Sequence, residues 1–223
     1  MAPFGASRAG LMSVTRDDIP DSGLLRDFDA SSINATDNDS IDSWDDSQSE
    51  TTLTGSGIYR DDGINGEPAV EFDGVDDYFN GDGIDQNQPW VVFVVINQSS
   101  TGDRQNILDG TGFSLSTRED VGSGPQLFAG EVLRFSDDAT YNSDIIRVGV
   151  ADGSNSEVRE NGDSLIVGDA GGQSTGSFGI SSSDHPFEGE ISRVLLYDLD
   201  ELESDSSIQE VESHLGEKYG ITI

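Results

Sequence analysis

The chain has 223 residues, enough for one large β-sandwich with a real core, and no linker divides it into two domains. Acidic residues outnumber basic ones 44 to 11, for a formal net charge of −33, which argues against nucleic-acid binding because phosphates would be repelled. Cysteine is absent, so disulfide frameworks and thiolate metal sites are excluded.

A hydrophobic content of 33% with 27 glycines suits an all-β fold with many turns. Aspartate outnumbers glutamate about two to one, and Lys218 is the only lysine. An acidic disordered chain is one reading, but apolar strand patterns recur along the whole length. Adaptation to molar salt is the better one. At about 1 M salt the Debye length falls to about 3 Å, so self-repulsion that would weaken the fold in dilute buffer is screened. The composition points to a halophile or a virus of one.

Residues 1–22 differ from the rest. Met1–Arg16 holds no acidic residue and two arginines, Arg8 and Arg16. The functional reading is an arm that docks on another acidic protein, with Phe4, Leu11 and Met12 as apolar anchors. The plainer reading is a disordered terminus. This stretch has no continuous apolar h-region and no twin arginine, and no window reaches the roughly 18 apolar residues of a membrane span. Neither export nor membrane insertion is expected.

Residues 23–223 read as one domain. Leu24–Asp29 is a first short strand with Leu25 a core candidate. Ala30–Glu50 is rich in Ser, Asp and Asn and reads as a loop, with Ile41 and Trp44 a local apolar pair. In Pro68–Phe79, Val70 and Phe72 alternate with Ala69 and Glu71, Asp73-Gly74 breaks the chain, and Tyr78 and Phe79 resume it. That is strand, tight corner, strand, with a further turn at Asn65-Gly66. Trp90–Ile96 is apolar on both faces, so it should be a central strand covered on both sides.

Asn106–Asp109 and Gly112–Thr117 read as a hairpin, as do Gln126–Ala129 and Val132–Phe135. Ile145–Ala151, Ser156–Glu160 and Ser164–Val167 are strands, the last two joined by the two-residue turn Asn161-Gly162. Phe178–Ser181 and Phe187–Tyr197 follow. The chain closes on a helix whose apolar face is Ile208, Val211, Leu215 and Tyr219, with Ser206 the expected N-cap.

Two sets of residues carry a family resemblance. Asn65-Gly66-x-Pro68-x-Val70-x-Phe72-Asp73-Gly74-x-Asp76-Asp77-Tyr78 resembles the signature of laminin-G-like, concanavalin-A-type jelly-roll domains. Phe187-x-Gly189-x-Ile191, running into Val194–Tyr197 and a helix ending Lys218–Ile221, resembles the C-terminal end of the same family. The resemblance covers roughly Leu24 to Ile223. It implies an all-β, concanavalin-like antiparallel β-sandwich with one short C-terminal helix. It does not settle function, because the fold hosts lectins, glycosidases and structural modules.

The resemblance also implies a tryptophan-bearing loop where Trp44 stands. A solvent-facing Trp44 could stack on a sugar, though a packed one is commoner. Similar domains often bind calcium at sandwich-edge loops, and Asp73, Asp76 and Asp77 cluster at such a corner. Alternatively Asp73 caps a turn and Asp76-Asp77 is a solvated pair.

Glu188 and Glu190 share a strand face, but the Glu-x-Asp-x-x-Glu run of jelly-roll glycosidases is missing. The only histidines, His185 and His214, accompany no nucleophile elbow. No enzymatic activity is expected. The leading expectation is a virion surface protein of a halophilic virus: a capsid decoration, turret or tail-fibre component. It would be a homo-oligomer, held to other virion proteins by the arm and touching host-surface glycans or glycoproteins. The alternative is a soluble carbohydrate-binding module or glycosidase of a halophilic archaeon.

Overall fold

The computed structural model describes residues 19–81, 85–99, 104–118, 124–136, 139–202 and 205–223, without the side chains of 205–207. The expected arm residues Phe4, Arg8, Leu11, Met12 and Arg16 lie outside the described residues.

Fifteen strands and one α-helix follow in order among the described residues. They are β1 (Leu24–Asp29), β2 (Ser40–Asp45), β3 (Thr52–Arg60), β4 (Ala69–Asp73), β5 (Phe79–Gly81), β6 (Trp90–Gln98), β7 (Gln105–Asp109) and β8 (Ser114–Thr117). Then come β9 (Pro125–Phe128), β10 (Val132–Arg134), β11 (Asp144–Ala151), β12 (Ser156–Glu160), β13 (Asp163–Gly168), β14 (Phe178–Ile180), β15 (Glu188–Asp198) and the helix α1 (Asp205–Tyr219). The fold is the expected all-β jelly-roll sandwich with one helix.

Every described strand pair is antiparallel. Hydrogen bonding runs β10-β9-β8-β7-β14-β5-β3-β4-β15-β6-β11-β12-β13, with β1 on β15 and β2 on β3. The path passes from one layer to the other along β3, whose Thr54 and Gly55 pair with β5 and whose Ile58–Arg60 pair with β4. Gly149 on β11 thereby faces Leu115 on β8 and Leu127 on β9, and Gly168 on β13 faces Leu133 on β10. Two layers result, β15-β6-β11-β12-β13 against β10-β9-β8-β7-β14.

Alternation explains the layering. On β6, Val92, Val94 and Ile96 point into the sandwich, where they join Leu108, Leu115, Leu127, Phe178 and Leu196. Val91, Phe93 and Val95 point the other way, with Ile146, Val148, Val150, Leu195 and Tyr197. An outward apolar face of this kind must be covered, and α1 covers it with Ile208, Val211, Leu215 and Tyr219. The helix begins at Asp205, so Ser206 stands inside its first turn and is not the expected cap.

Strand β2 corrects the reading of Ala30–Glu50 as a loop. A register shift between Ile41 and Ser43 brings Ile41 and Trp44, three residues apart, into the same core. Its partner β3 has glycines where the chain packs hardest. A Cβ on Gly55 would lie 1.8 Å from the Tyr78 carbonyl oxygen, so no larger residue fits there.

Charge is also used inside. The Arg193 guanidinium grips both carboxylate oxygens of Asp27, at 2.8 and 2.7 Å, and Lys218 reaches Asp29 at 2.8 Å. All four residues are buried, and together they tie β1, β15 and α1. Burial alone would raise the Asp29 carboxyl, but Arg193 and Lys218 hold it below its ordinary value. A second buried pair, Arg159 to Glu212 at 2.9 Å, ties β12 to α1.

Candidate functional site

Three polar surfaces are candidates. The first is the Asp73 corner. Asp73 Oδ1 accepts from the N–H groups of Val75 (2.8 Å) and Asp76 (3.2 Å), while Asp77 accepts from the Asp73 N–H and from Ser56 Oγ. The Val75 N–H bond, aided by the Asp76 one, holds the Asp73 carboxyl below its ordinary value. Asp73 therefore does cap the turn. Asp73, Asp76 and Asp77 also bring ligand oxygens within 4.8 Å of one another. The donor set is hard oxygen, which suits calcium, but most of the six to eight ligands would have to come from water or other groups.

The second surface adjoins it. Pairing of β15 with β4 sets Glu190 opposite Glu71 and Glu188 opposite Asp73; β6 then sets Asn97 beside Glu190, and β11 sets Asp144 beside Asn97. A groove of about 480 Å³ lies along Glu71, Asp73, Asn97, Ser99, Glu188 and Glu190. Glu71 is paired with Arg60. Burial, and then Glu71 and Asp144, push the Glu190 carboxyl above its ordinary value. The two glutamates singled out in the sequence thus sit in a tract of like charge.

Trp44 is elsewhere. It is fully buried, edge-on to Phe28 and Phe79 with ring centroids 6.4 and 6.0 Å away. The packed alternative holds, and a solvent-facing stack on sugar does not. A groove of about 460 Å³ runs over β2 beside it, but its lining is Ser32, Asn34, Asp39, Asp42 and their neighbours, without an aromatic ring. His185 and His214 are both half-exposed.

The third surface is the outer face of β7-β8-β9-β10, whose residues are scattered in the sequence. Leu115, Leu127 and Leu133 point into the core. The alternate positions Asn106, Ser114, Ser116 and Gln126 therefore point out, and all four are small or amide side chains at most 2% exposed. They are knitted together. Gln126 Nε2 donates to Ser116 Oγ at 2.8 Å, and Asn106 Nδ2 donates to Asp109 Oδ1 at 2.9 Å. Burial raises the Asp109 carboxyl. No described helix crosses this face. The signal was present in the sequence as Ser114-Leu-Ser116, where serines alternate with a core leucine.

No family model matches the sequence, and no curated protein matches it. Solved structures do match the fold. Domain 4 of AbnA, a GH43 extracellular arabinanase from Geobacillus stearothermophilus in complex with arabinotriose, gives a TM-score of 0.59 at 15% identity, over 79% of this chain and 93% of that one. Trypanosoma rangeli sialidase in complex with sialic acid gives 0.61 at 13% identity, over 89% of this chain and 34% of that one. A complex of the same sialidase with 2,3-difluorosialic acid gives 0.63 at 14% identity over the same shares. This chain spans about a third of the sialidase. At such identities the likeness is one of fold: a β-sandwich of the architecture that those carbohydrate-active proteins contain.

Proposed function

We propose that this chain is a carbohydrate-binding β-sandwich, displayed on the surface of a virion that works in high salt. The observation that carries the binding reading is the outer face of β7-β8-β9-β10, a sheet face of hydrogen-bonded hydroxyls and amides that no described helix covers. Ligand sites use such fixed donors and acceptors to orient a polar molecule. The arabinotriose-bound domain, similar in fold over most of its length, supports the same reading. The net charge of −33 supports a high-salt setting. The acid-free Met1–Arg16 supports an attachment to other, acidic virion proteins, and symmetric surface proteins of this kind are usually homo-oligomers.

The test is titration of the purified full chain with an oligosaccharide panel, and with intact haloarchaeal cells, in molar potassium chloride. Saturable binding is expected. Failure of a folded protein to bind either would overturn the reading. The same titration with a chelator reads any calcium at the Asp73 corner. Binding is expected to survive, because the N–H groups of Val75 and Asp76 already order that turn.

A second reading, hydrolysis, is favoured by one observation. Glu190, with its raised carboxyl, faces the Arg60-paired Glu71 across the strands, so two carboxyls of unlike environment share a groove. Polysaccharide turnover in high salt, abolished by Glu190→Gln, would establish it. No turnover is expected.

A further inference from the structure

Four large apolar side chains stand well exposed among the described residues: Val75, Val132, Val167 and Ile223. Three of them gather on one side of the sandwich. Val167 lies on β13, 62% exposed, and Val132 on β10, 52% exposed. Ile223 lies against Gly162, in the turn that opens β13. β10 and β13 are the two ends of the hydrogen-bonded path, and the approach of Gly168 to Leu133 sets one beside the other. An unpaired strand edge thus ends each layer here, and apolar side chains flank both.

An open edge offers its N–H and C=O groups to any other strand, and proteins usually blunt it with charge, proline or brevity. The other strands with one described neighbour are blunted in these ways. β1 carries Arg26, Asp27 and Asp29, β2 carries Asp42 and Asp45, and β10 is three residues long and ends in Arg134. β13 differs. Residues 164–168 run without charge or proline, in a chain of 44 acidic residues. A register shift beside Leu165 lets Leu165 and Ile166 both pack on the core. Ser164 and Val167 are left on the outer face. Ser164 pairs with Arg159, whose guanidinium reaches Glu212 of α1, and Val167 pairs with Glu157, which the same guanidinium holds.

Charge selects the occupant. At a net charge of −33, most of this surface repels another acidic molecule at contact. A second copy of β13 instead brings a neutral edge to a neutral edge. Laid antiparallel about a twofold axis between Leu165 and Ile166, Ser164 faces Val167 of the second copy, outer position to outer position, and Leu165 faces Ile166, core position to core position. Asp163 then falls opposite Gly168 and Asp169 opposite Gly162, so no carboxylate faces another. A slip of one residue pairs outer with core positions, and in one direction it also sets Asp163 against Asp169. The edge is self-complementary in both face and charge, as an isologous twofold contact requires.

We infer that a second copy of this chain docks on β13 and extends the β15-β6-β11-β12-β13 layer into one sheet across a twofold dimer. The inference rests on the homo-oligomer reading and names its interface; it does not depend on what the chain binds.

Sedimentation equilibrium of the full chain in molar potassium chloride reads the assembly, and twice the 23.8 kDa of one chain is expected. Val167→Glu, at an exposed position, is expected to raise the dimer dissociation constant at least tenfold while circular dichroism shows the parent fold. Val75→Glu, equally exposed at the Asp73 corner, is expected to leave the dimer unchanged. The chain has no cysteine, so an introduced pair reports one contact alone. An equimolar mixture of Ser164→Cys and Val167→Cys chains is expected to form a disulfide at least tenfold faster than either variant by itself. A monomer in molar salt would overturn both the inference and the homo-oligomer reading. An assembly that Val167→Glu leaves intact, or in which the mixed cysteines cross-link no faster than either alone, would overturn the inference and leave the homo-oligomer reading standing.

Discussion

The two outer faces of the sandwich are made by the same alternation and end with opposite chemistry. On β15-β6-β11 the outward positions are Val91, Phe93, Val95, Ile146, Val148 and Leu195, and a helix lies over them. Further along the same strands they become Glu190, Asn97 and Asp144, beside Glu71 of β4. On β7-β8-β9-β10 the outward positions are Asn106, Ser114, Ser116 and Gln126, with arginines around them. An apolar face exposed to water costs roughly 25 cal/mol for each Å² left uncovered, so it demands a lid. A polar face satisfied by its own hydrogen bonds demands none. The helix therefore belongs to stability.

The sharpest way to break that comparison is to remove an arginine from each side. Arg193→Ala is expected to cost about 3–5 kcal/mol, because it strands Asp27 and Asp29 as buried carboxylates without their main cation. Arg104→Ala, on the other outer face, is expected to cost less, about 1–3 kcal/mol, since it leaves the neutral, buried Asn106 and Ser114 short of a hydrogen-bond partner and strands no charge. Urea unfolding in molar salt reads both. Equal losses would erase the distinction between a charge-paired interior and a neutral polar network.

Next in size is the helix contact itself. Leu215 is fully buried in the cluster beneath α1. Leu215→Ala is expected to cost about 2–4 kcal/mol, through lost transfer energy and the cavity left behind. The measure is again the urea midpoint. A negligible change would mean that the apolar half of this layer stands without its lid.

A smaller effect is expected at the Asp73 corner. Asp73 accepts two N–H groups in the manner of a helix N-cap, so Asp73→Ala is expected to cost about 1 kcal/mol. The cost should be the same with a chelator as with millimolar calcium. A loss seen only with calcium would give the Asp73, Asp76, Asp77 cluster a metal-binding role in its place.

Much of this comparison was legible in the sequence wherever hydrophobicity has a period. Trp90–Ile96 is apolar at every position, as a short strand buried on both faces is. The helix face likewise emerged from Ile208, Val211, Leu215 and Tyr219. Strands β2 and β3 were not legible. In β2 a bulge puts Ile41 and Trp44 out of period 2, and in β3 glycines occupy positions where the backbone of Tyr78 and the side chain of Val70 come close. The arginine-bearing face escaped for another reason. Arg104, Arg118 and Arg134 are spread over thirty-one positions of the chain and meet only through strand pairing. The Asp73 corner showed because its residues are sequential.

The smallest effect concerns the acidic half of the helix-bearing layer, and its sign is the informative part. Burial, Glu71 and Asp144 raise the Glu190 carboxyl above the ordinary value of 4.5, so the folded chain holds that proton more readily than the unfolded one. The unfolded chain is then the better home for the charge. Stability falls as pH rises from the ordinary value through the raised one, and above that the penalty is fully present. Glu190→Gln cannot ionise and is expected to stabilise the fold at pH 7 by about 0.2–1 kcal/mol, the range for relieving like charges directly opposite on a sheet. The gain should shrink as pH falls below the ordinary carboxylate range, where Glu190 is neutral in both states. Urea midpoints of parent and variant at pH 7 and pH 4 measure it. Destabilisation at pH 7 would instead mean that the Glu190 charge is held by a favourable partner. The acidic half would then be a built site and no longer a tolerated crowding of charge.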